Sequence, residues 1–169
     1  MLLRRLEPGD ARPEFCCGDS DLNEFYFKDS IEGAKELLSV TYVFCDEESG
    51  KVQAFFSVSN DSVARTLLSN RFLRFIPRPK RYRSWPATKI GRFGICKDSQ
   101  GKGIGSVVMN YLKVSFTHNN KTGCRFLVVD AYNKAPVVHF YQKNGFEFLP
   151  GDEAGDTRLM YFDLKTFRP

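Results

Sequence analysis

The stretch Ser99-Gln-Gly-Lys-Gly-Ile-Gly-Ser106 sets three glycines at alternate positions and runs straight into Val107-Val-Met-Asn-Tyr-Leu-Lys-Val114, which has helical character. Glycines in such a turn let backbone amides approach an anion closely, and a helix opening there adds the positive end of its dipole. Lys89-Ile-Gly-Arg-Phe-Gly-Ile-Cys96, just before the loop, reads as a strand, and the helix is predicted from Ile104 to about Thr117. Spacing then narrows the choice of anion. A dinucleotide fingerprint needs G-x-G-x-x-G, but counted from Gly101 the last required position is Ser106. A nucleotide P-loop needs Ser or Thr after its lysine, but Lys102 is followed by Gly103. The pattern that does match is [Q/R]-x-x-G-x-[G/A], from Gln100 to Gly105.

Working outward, Cys124-Arg-Phe-Leu-Val-Val-Asp-Ala131 is a nearly continuous apolar strand of the kind buried on both faces. Asn133 can cap a helix near Ala135 to Lys143, with Pro136 tolerated in its first turn and Gly145 at its C-terminus. Phe146-Glu-Phe-Leu149 and Thr157-Arg-Leu-Met-Tyr-Phe-Asp-Leu164 read as closing strands. Upstream, Ser20 or Asp21 can cap a helix carrying Leu22, Phe25 and Tyr26, and a second helical piece is expected near Ile31 to Leu38. Val40-Thr-Tyr-Val-Phe-Cys45 and Val52-Gln-Ala-Phe-Phe-Ser-Val-Ser59 flank Asp46-Glu-Glu-Ser-Gly50 and read as an antiparallel hairpin. The order predicts an α/β (α+β mixed) fold, a central mixed, mostly antiparallel sheet flanked by helices on both faces. At 169 residues and 42% hydrophobic content, residues 1–169 are expected to form a single domain with a core of its own.

Five cysteines, an odd number, show no zinc-type spacing, and His118 and His139 stand alone, so a reduced protein without a metal is expected. Cys96 and Cys124 lie in apolar runs, which argues against a cysteine nucleophile. No signal peptide and no apolar run of membrane-spanning length is found, which predicts a cytoplasmic protein with no membrane partner. The net charge of +5 is unevenly spread. Between Asp61 and Asp98 there is no acidic residue, while Arg65, Arg71, Arg74, Arg78, Lys80, Arg81, Arg83, Lys89, Arg92 and Lys97 all fall there. Removing those ten from the 25 basic residues leaves 15 against 20 acidic ones, so the basicity is local and points to an acidic partner.

The loop between its strand and helix, then Phe126-Leu-Val-Val-Asp-Ala131, Asn133, Ala135 and Phe140-Tyr-Gln-Lys-Asn-Gly-Phe146, follow an order and spacing that resembles the GCN5-related N-acetyltransferase (GNAT) family. The resemblance is close over residues 89–149 and looser over the whole chain. It implies a GNAT-like fold, acetyl-CoA as cofactor, and transfer of the acetyl group to a primary amine by direct attack. It further implies that the backbone of Phe93, Gly94 and Ile95 pairs with the pantetheine arm and that Gln100, Gly101, Lys102, Gly103, Ile104, Gly105 and Ser106 surround the pyrophosphate. Asn133, Phe140 and Lys143 would complete the cofactor contacts. Tyr141 takes the position of the tyrosine that protonates the departing thiolate. Plainer readings stand beside these: Asn133 as a helix cap only, Phe140 as core, Tyr141 as a packed helix residue. Among Glu24, Asp130 and Glu147 none is marked out as a general base.

Phe15-x-Cys-Gly at 15–18, followed by Leu22-Asn23-x-Phe25, resembles a branch of this family that acts as toxins of toxin–antitoxin pairs by acetylating charged tRNA. Gly91-Arg92-Phe-Gly-Ile95 and Val129-Asp-Ala131 fit the same branch. The resemblance implies aminoacyl-tRNA as the amine acceptor and an antitoxin protein as partner. Dimers are frequent in that branch, so a homodimer is a further expectation. Arg71, Arg74, Arg78, Lys80, Arg81, Arg83 and Arg92, interleaved with Phe72, Phe75, Tyr82 and Trp85, supply the charge and stacking surfaces that single-stranded RNA ends require. A solvated loop anchored by its aromatic residues is the plainer account of that segment. Two other functions remain open: an acetyltransferase for a small amine, peptide or protein, and a catalytically silent acyl-CoA-binding or nucleic-acid-binding module.

Overall fold

The computed structural model describes residues 1–69, 73, 82–118, 120, 123–151 and 153–168. Its strands are β1 (Leu2–Leu6), β2 (Val40–Cys45), β3 (Val52–Ala64), β4 (Ser84–Ile95), β5 (Phe126–Tyr132), β6 (Glu147–Phe148) and β7 (Thr157–Asp163). They form one seven-stranded sheet in the order β1-β2-β3-β4-β5-β7-β6. β1–β2, β2–β3, β5–β7 and β6–β7 pair antiparallel, whereas β4–β5 is parallel. A parallel pair needs a crossover, and α3 (Ile104–His118) supplies it, as the strand–loop–helix–strand order predicts. The sheet is thus mixed and mostly antiparallel.

The remaining helices are α1 (Ser20–Glu24), α2 (Ser30–Lys35) and α4 (Ala135–Lys143). A π-helical turn, Phe25–Asp29, joins α1 to α2, so the two pieces expected from the sequence form one continuous helical run. Its cap is Asp19 and not Ser20 or Asp21: the Asp19 carboxylate accepts the Leu22 amide at 3.0 Å. Strand β1 was not anticipated, and β3 runs five residues past Ser59 through the exposed Asn60-Asp61-Ser62.

The chain divides into two compact units. Met1–Ser59 with Ile90–Tyr111 make the first. Leu6, Phe15, Cys17, Tyr26, Val43, Cys45, Val52 and Phe55 form its core, in which the Phe15 ring lies 5.0 Å from Tyr26 and 5.1 Å from Phe55. Such aromatic pairs add about 0.5–1.5 kcal/mol each beyond their area burial. Asn60–Lys89 with Leu112–Pro169 make the second unit. Its core gathers Val63, Leu68, Trp85, Ala87, Phe126, Val128 and Leu149. Trp85 is therefore an anchor, as expected of one of the aromatics in the basic segment, while Tyr82 is exposed and Phe72 and Phe75 lie outside the described residues. Among the described residues no helix is long and apolar enough to cross a membrane, and no cluster of metal-ligating side chains occurs.

Candidate acyl-CoA site

In the first unit, β4 leads through the short turn Lys97–Ser99 into the glycine loop. Gly101 and Gly103 have φ of +74° and +81°, and a side chain built on either would meet nothing within 4 Å. Left-handed backbone costs a residue with a Cβ about 1–2 kcal/mol, so these positions favour glycine by conformation, and the space above them is open. Among the described residues, the amides of residues 101–105 donate to no backbone carbonyl, whereas the next two, Ser106 and Val107, both donate to Gly103 O at 3.0 and 3.2 Å. Five successive amides without a backbone acceptor among the described residues, at the N-terminus of a 15-residue helix, are donors of the kind that holds an anion. Lys102 is exposed on it, and Ile104, Gly105 and Ser106 are half-buried. These residues fit a pyrophosphate.

The Gln100 side chain is turned the other way. Its amide nitrogen donates to Cys17 O at 2.8 Å and to Ile95 O at 3.0 Å, tying the start of the loop to the end of β4. Phe93 and Ile95 are half-buried around a buried Gly94. A methyl at Gly94 would sit 2.6 Å from Phe55 Cε1, so packing against that ring excludes any side chain here. The parallel register of β4 with β5 covers Ala87–Lys89 against Phe126–Val128, and Arg125 N donates to Pro86 O beside it at 2.8 Å. A strand edge can accept an extended ligand as an added strand.

In the second unit, α4 carries Phe140, Tyr141 and Lys143. Lys143 is exposed and Phe140 half-buried. Tyr141 is 5% exposed, with its ring 5.1 Å from Phe140 and 5.3 Å from Phe146. Burial pushes its phenol far above the usual tyrosine range, and among the described residues its hydroxyl has no hydrogen-bond partner. The C-terminus of α4 is closed: Asn144 N donates to Phe140 O and Tyr141 O, Gly145 N to Gln142 O, and Phe146 N to Tyr141 O. Lys113 Nζ, buried, donates to Asn144 O at 2.6 Å and lies 4.4 Å from the Phe162 ring. Asn133 does not cap α4, whose N-cap is Lys134; its amide donates to Glu153 O and Gly155 O, both at 3.0 Å, and holds the loop before β7.

The carboxylates weighed as bases are engaged elsewhere. Glu24 pairs with Lys28 at 3.0 Å, Asp130 with Lys89 at 2.5 Å, and Glu147 accepts from the Tyr161 hydroxyl at 3.2 Å. Arg92 is exposed, 3.7 Å from Asp21 and stacked over Phe25. Arg83 is exposed at the head of β4. Arg71, Arg74, Arg78, Lys80 and Arg81 lie outside the described residues.

The fold is shared with known proteins. AtaT complexed with acetyl-methionyl-tRNAfMet superposes with a TM-score of 0.79 at 23% identity, over 98% of this chain and 95% of that one. A tyrosine-to-phenylalanine mutant of KacT gives 0.77 at 22%, over 98% and 97%. AtaTR bound with AcCoA gives 0.74 at 23%, over 98% and 94%. At these identities the likeness is one of fold. The sequence model of the acetyltransferase (GNAT) domain matches residues 41–148. Because that match runs without a break from β2 through the glycine loop, α3 and α4, the chain belongs to the GNAT acetyltransferase family.

Proposed function

We propose that this protein transfers the acetyl group of acetyl-CoA to the α-amino group of an aminoacyl-tRNA, and that it is the toxin of a toxin–antitoxin pair. The observation that carries the first part is the run of amides over residues 101–105 without a backbone acceptor among the described residues, opening α3 under a surface that no side chain fills. Gly101, Lys102, Gly103, Ile104, Gly105 and Ser106 hold the pyrophosphate, and the backbone of Phe93, Gly94 and Ile95 takes the pantetheine arm. Phe140 and Lys143 contact the cofactor. Asn133 contributes through the loop that it ties down.

The amine attacks the thioester carbonyl, the carbon–sulfur bond breaks, Tyr141 gives its proton to the departing thiolate, and the proton shed by the attacking nitrogen passes to water, from which the phenol is restored. A phenol kept protonated by burial is in the state that this step requires. General acid help of this type contributes about 10²–10⁴-fold. The α-amine of an aminoacyl ester is weakly basic, so a large part of it is already neutral. No carboxylate needs to serve as a strong base, in keeping with the engagement of Glu24, Asp130 and Glu147 elsewhere.

The RNA acceptor is supported by the acid-free interval between Asp61 and Asp98, and by the fold shared with AtaT in its acetyl-methionyl-tRNAfMet complex. The antitoxin is supported by the same fold in the structure of AtaT bound to the C-terminus of AtaR. A charged-tRNA acceptor also implies a cytoplasmic enzyme. The test is transfer of radiolabelled acetyl from acetyl-CoA to charged tRNA, with uncharged tRNA and free amino acids as controls. Label confined to charged tRNA and lost in Tyr141→Phe is the expected result. Label on free amines or protein N-termini alone would move the acceptor to that class, and no transfer to any amine would overturn the reading.

A further inference from the structure

The segment Phe15-Cys-Cys-Gly-Asp-Ser-Asp-Leu-Asn23 has no part in the chemistry above, yet the first unit folds it against the glycine loop. Asn23, half-buried on α1, accepts the Cys17 amide at 3.0 Å and the Cys17 thiol at 3.3 Å through Oδ1. Its Nδ2 reaches Cys16 Sγ at 3.7 Å. Burial pushes the Cys17 thiol above its usual range, so it stays an S–H donor to Asn23. With the Cys16–Cys17 backbone held in this way, its two carbonyls face the loop. Cys16 O accepts the Lys97 amide at 2.9 Å, and Cys17 O accepts Gln100 Nε2 at 2.8 Å. The Phe15 ring fixes the near end of the segment, with Cζ 3.3 Å from where a Gly94 side chain would begin.

We infer that Asn23 is a positioning residue for acetyl-CoA: through Cys16 and Cys17 it sets the height at which the amides of residues 101–105 meet the pyrophosphate. The inference rests on the reading of that loop as the cofactor cradle. Three features favour it over a purely structural role. The bracket grips the entry of the loop at both ends of the turn Lys97–Ser99, at Lys97 and at Gln100. Gln100 is exposed, so its two side-chain bonds do little for the core and much for the direction of the chain. Among the described residues, nothing lies within 4 Å of where a Cβ would stand on Gly101 or Gly103, so no side-chain packing at those points corrects a misplaced entry.

The experiment is calorimetric titration of the full chain with acetyl-CoA, together with kcat and KM, for wild type, Asn23→Ala, Asn23→Asp and Gln100→Leu. Asn23→Ala is expected to weaken acetyl-CoA binding about tenfold, the size of one lost anchoring bond, with kcat within about twofold. Asn23→Asp keeps the acceptor for the Cys17 amide and is expected to restore affinity. The double variant Asn23→Ala with Gln100→Leu should be no weaker than the worse single one, because both cut the same chain of bonds. Additive losses, or an Asn23→Ala protein that melts lower yet binds acetyl-CoA like wild type, would overturn the inference. If Asn23→Ala does not fold, hydrogen exchange on wild type decides. Acetyl-CoA should protect the Cys17 and Lys97 amides together with the loop, and protection of the loop alone would overturn it. A wild-type chain that binds no acetyl-CoA would overturn the reading of the loop itself.

Discussion

The N-terminus of α3 and the C-terminus of α4 both turn on left-handed glycines, and they treat their free backbone groups in opposite ways. At α3, Gly101 and Gly103 leave amides without a backbone acceptor among the described residues, beneath empty space. At α4, Gly145 (φ +79°) sits 3.1 Å from Phe162 Cε2 at its absent Cβ, and carbonyls 140, 141, 142 and 144 all accept from the protein's own donors. The same local conformation thus leaves donors free in one place and closes them into the fold in the other. The difference lies in what surrounds the turn, because glycine at either site answers only the demand of the backbone. An end closed so thoroughly is suited to holding a side chain still, and the side chain it holds is Tyr141.

Substitutions can break this contrast or sharpen it. The largest effect is expected from Tyr141→Phe, which should lower kcat by about 10²–10⁴-fold and leave acetyl-CoA affinity unchanged. Full turnover in steady-state kinetics would reduce the closed end to packing alone. Next, Gly101→Ala with Gly103→Ala should raise the KM for acetyl-CoA more than about tenfold, since misplaced amides lose charge-assisted bonds to the pyrophosphate. Gly145→Ala should do the reverse. Left-handed strain of about 1–2 kcal/mol, added to the tight approach of Phe162, should lower the melting temperature by about 2–8 °C with KM unaltered. A shift of KM in Gly145→Ala would erase the distinction between the two ends.

The smallest effect concerns Lys113, whose ammonium is held below its usual pKa by burial. A lysine with a lowered folded pKa binds fewer protons folded than unfolded, so its contribution to stability rises as pH climbs through the folded pKa toward the unfolded value of 10.5. Wild type should therefore gain stability relative to Lys113→Met over that alkaline range. A difference in melting temperature that stays flat with pH would mean that the ammonium is not desolvated.

Much of this architecture is legible in the sequence. Val40–Cys45 was read to the residue and the helix expected near Ala135 to Lys143 is found there, because β-branched runs and helical spacing between a Pro and a Gly leave little choice. β1 escaped notice because Leu2-Leu3-Arg4-Arg5-Leu6 buries only Leu6 and shows no alternation; its pairing with β2 carries it. The tail of β3 is polar and exposed at Asn60-Asp61-Ser62, where burial leaves no signature. In the site, the spacing that revealed the loop says nothing of side-chain direction. Gln100 was expected among the cofactor contacts and Asn133 at the pantetheine or behind it, and each has its amide nitrogen on backbone carbonyls. Such preferences depend on chain segments far away in sequence, which no local pattern records.

The bond from Gln100 to Cys17 spans 83 positions. Contacts of that separation are slow to form, since the chain between must first be gathered at an entropic cost that nothing nearby repays. A chain emerging from the ribosome has Cys17 long before Gln100, and the entry to the loop takes its working shape only once both have met. The glycine turn is written in six consecutive residues, but its entry is tied down only when positions 83 apart have met, a span of about half of the 169-residue polypeptide.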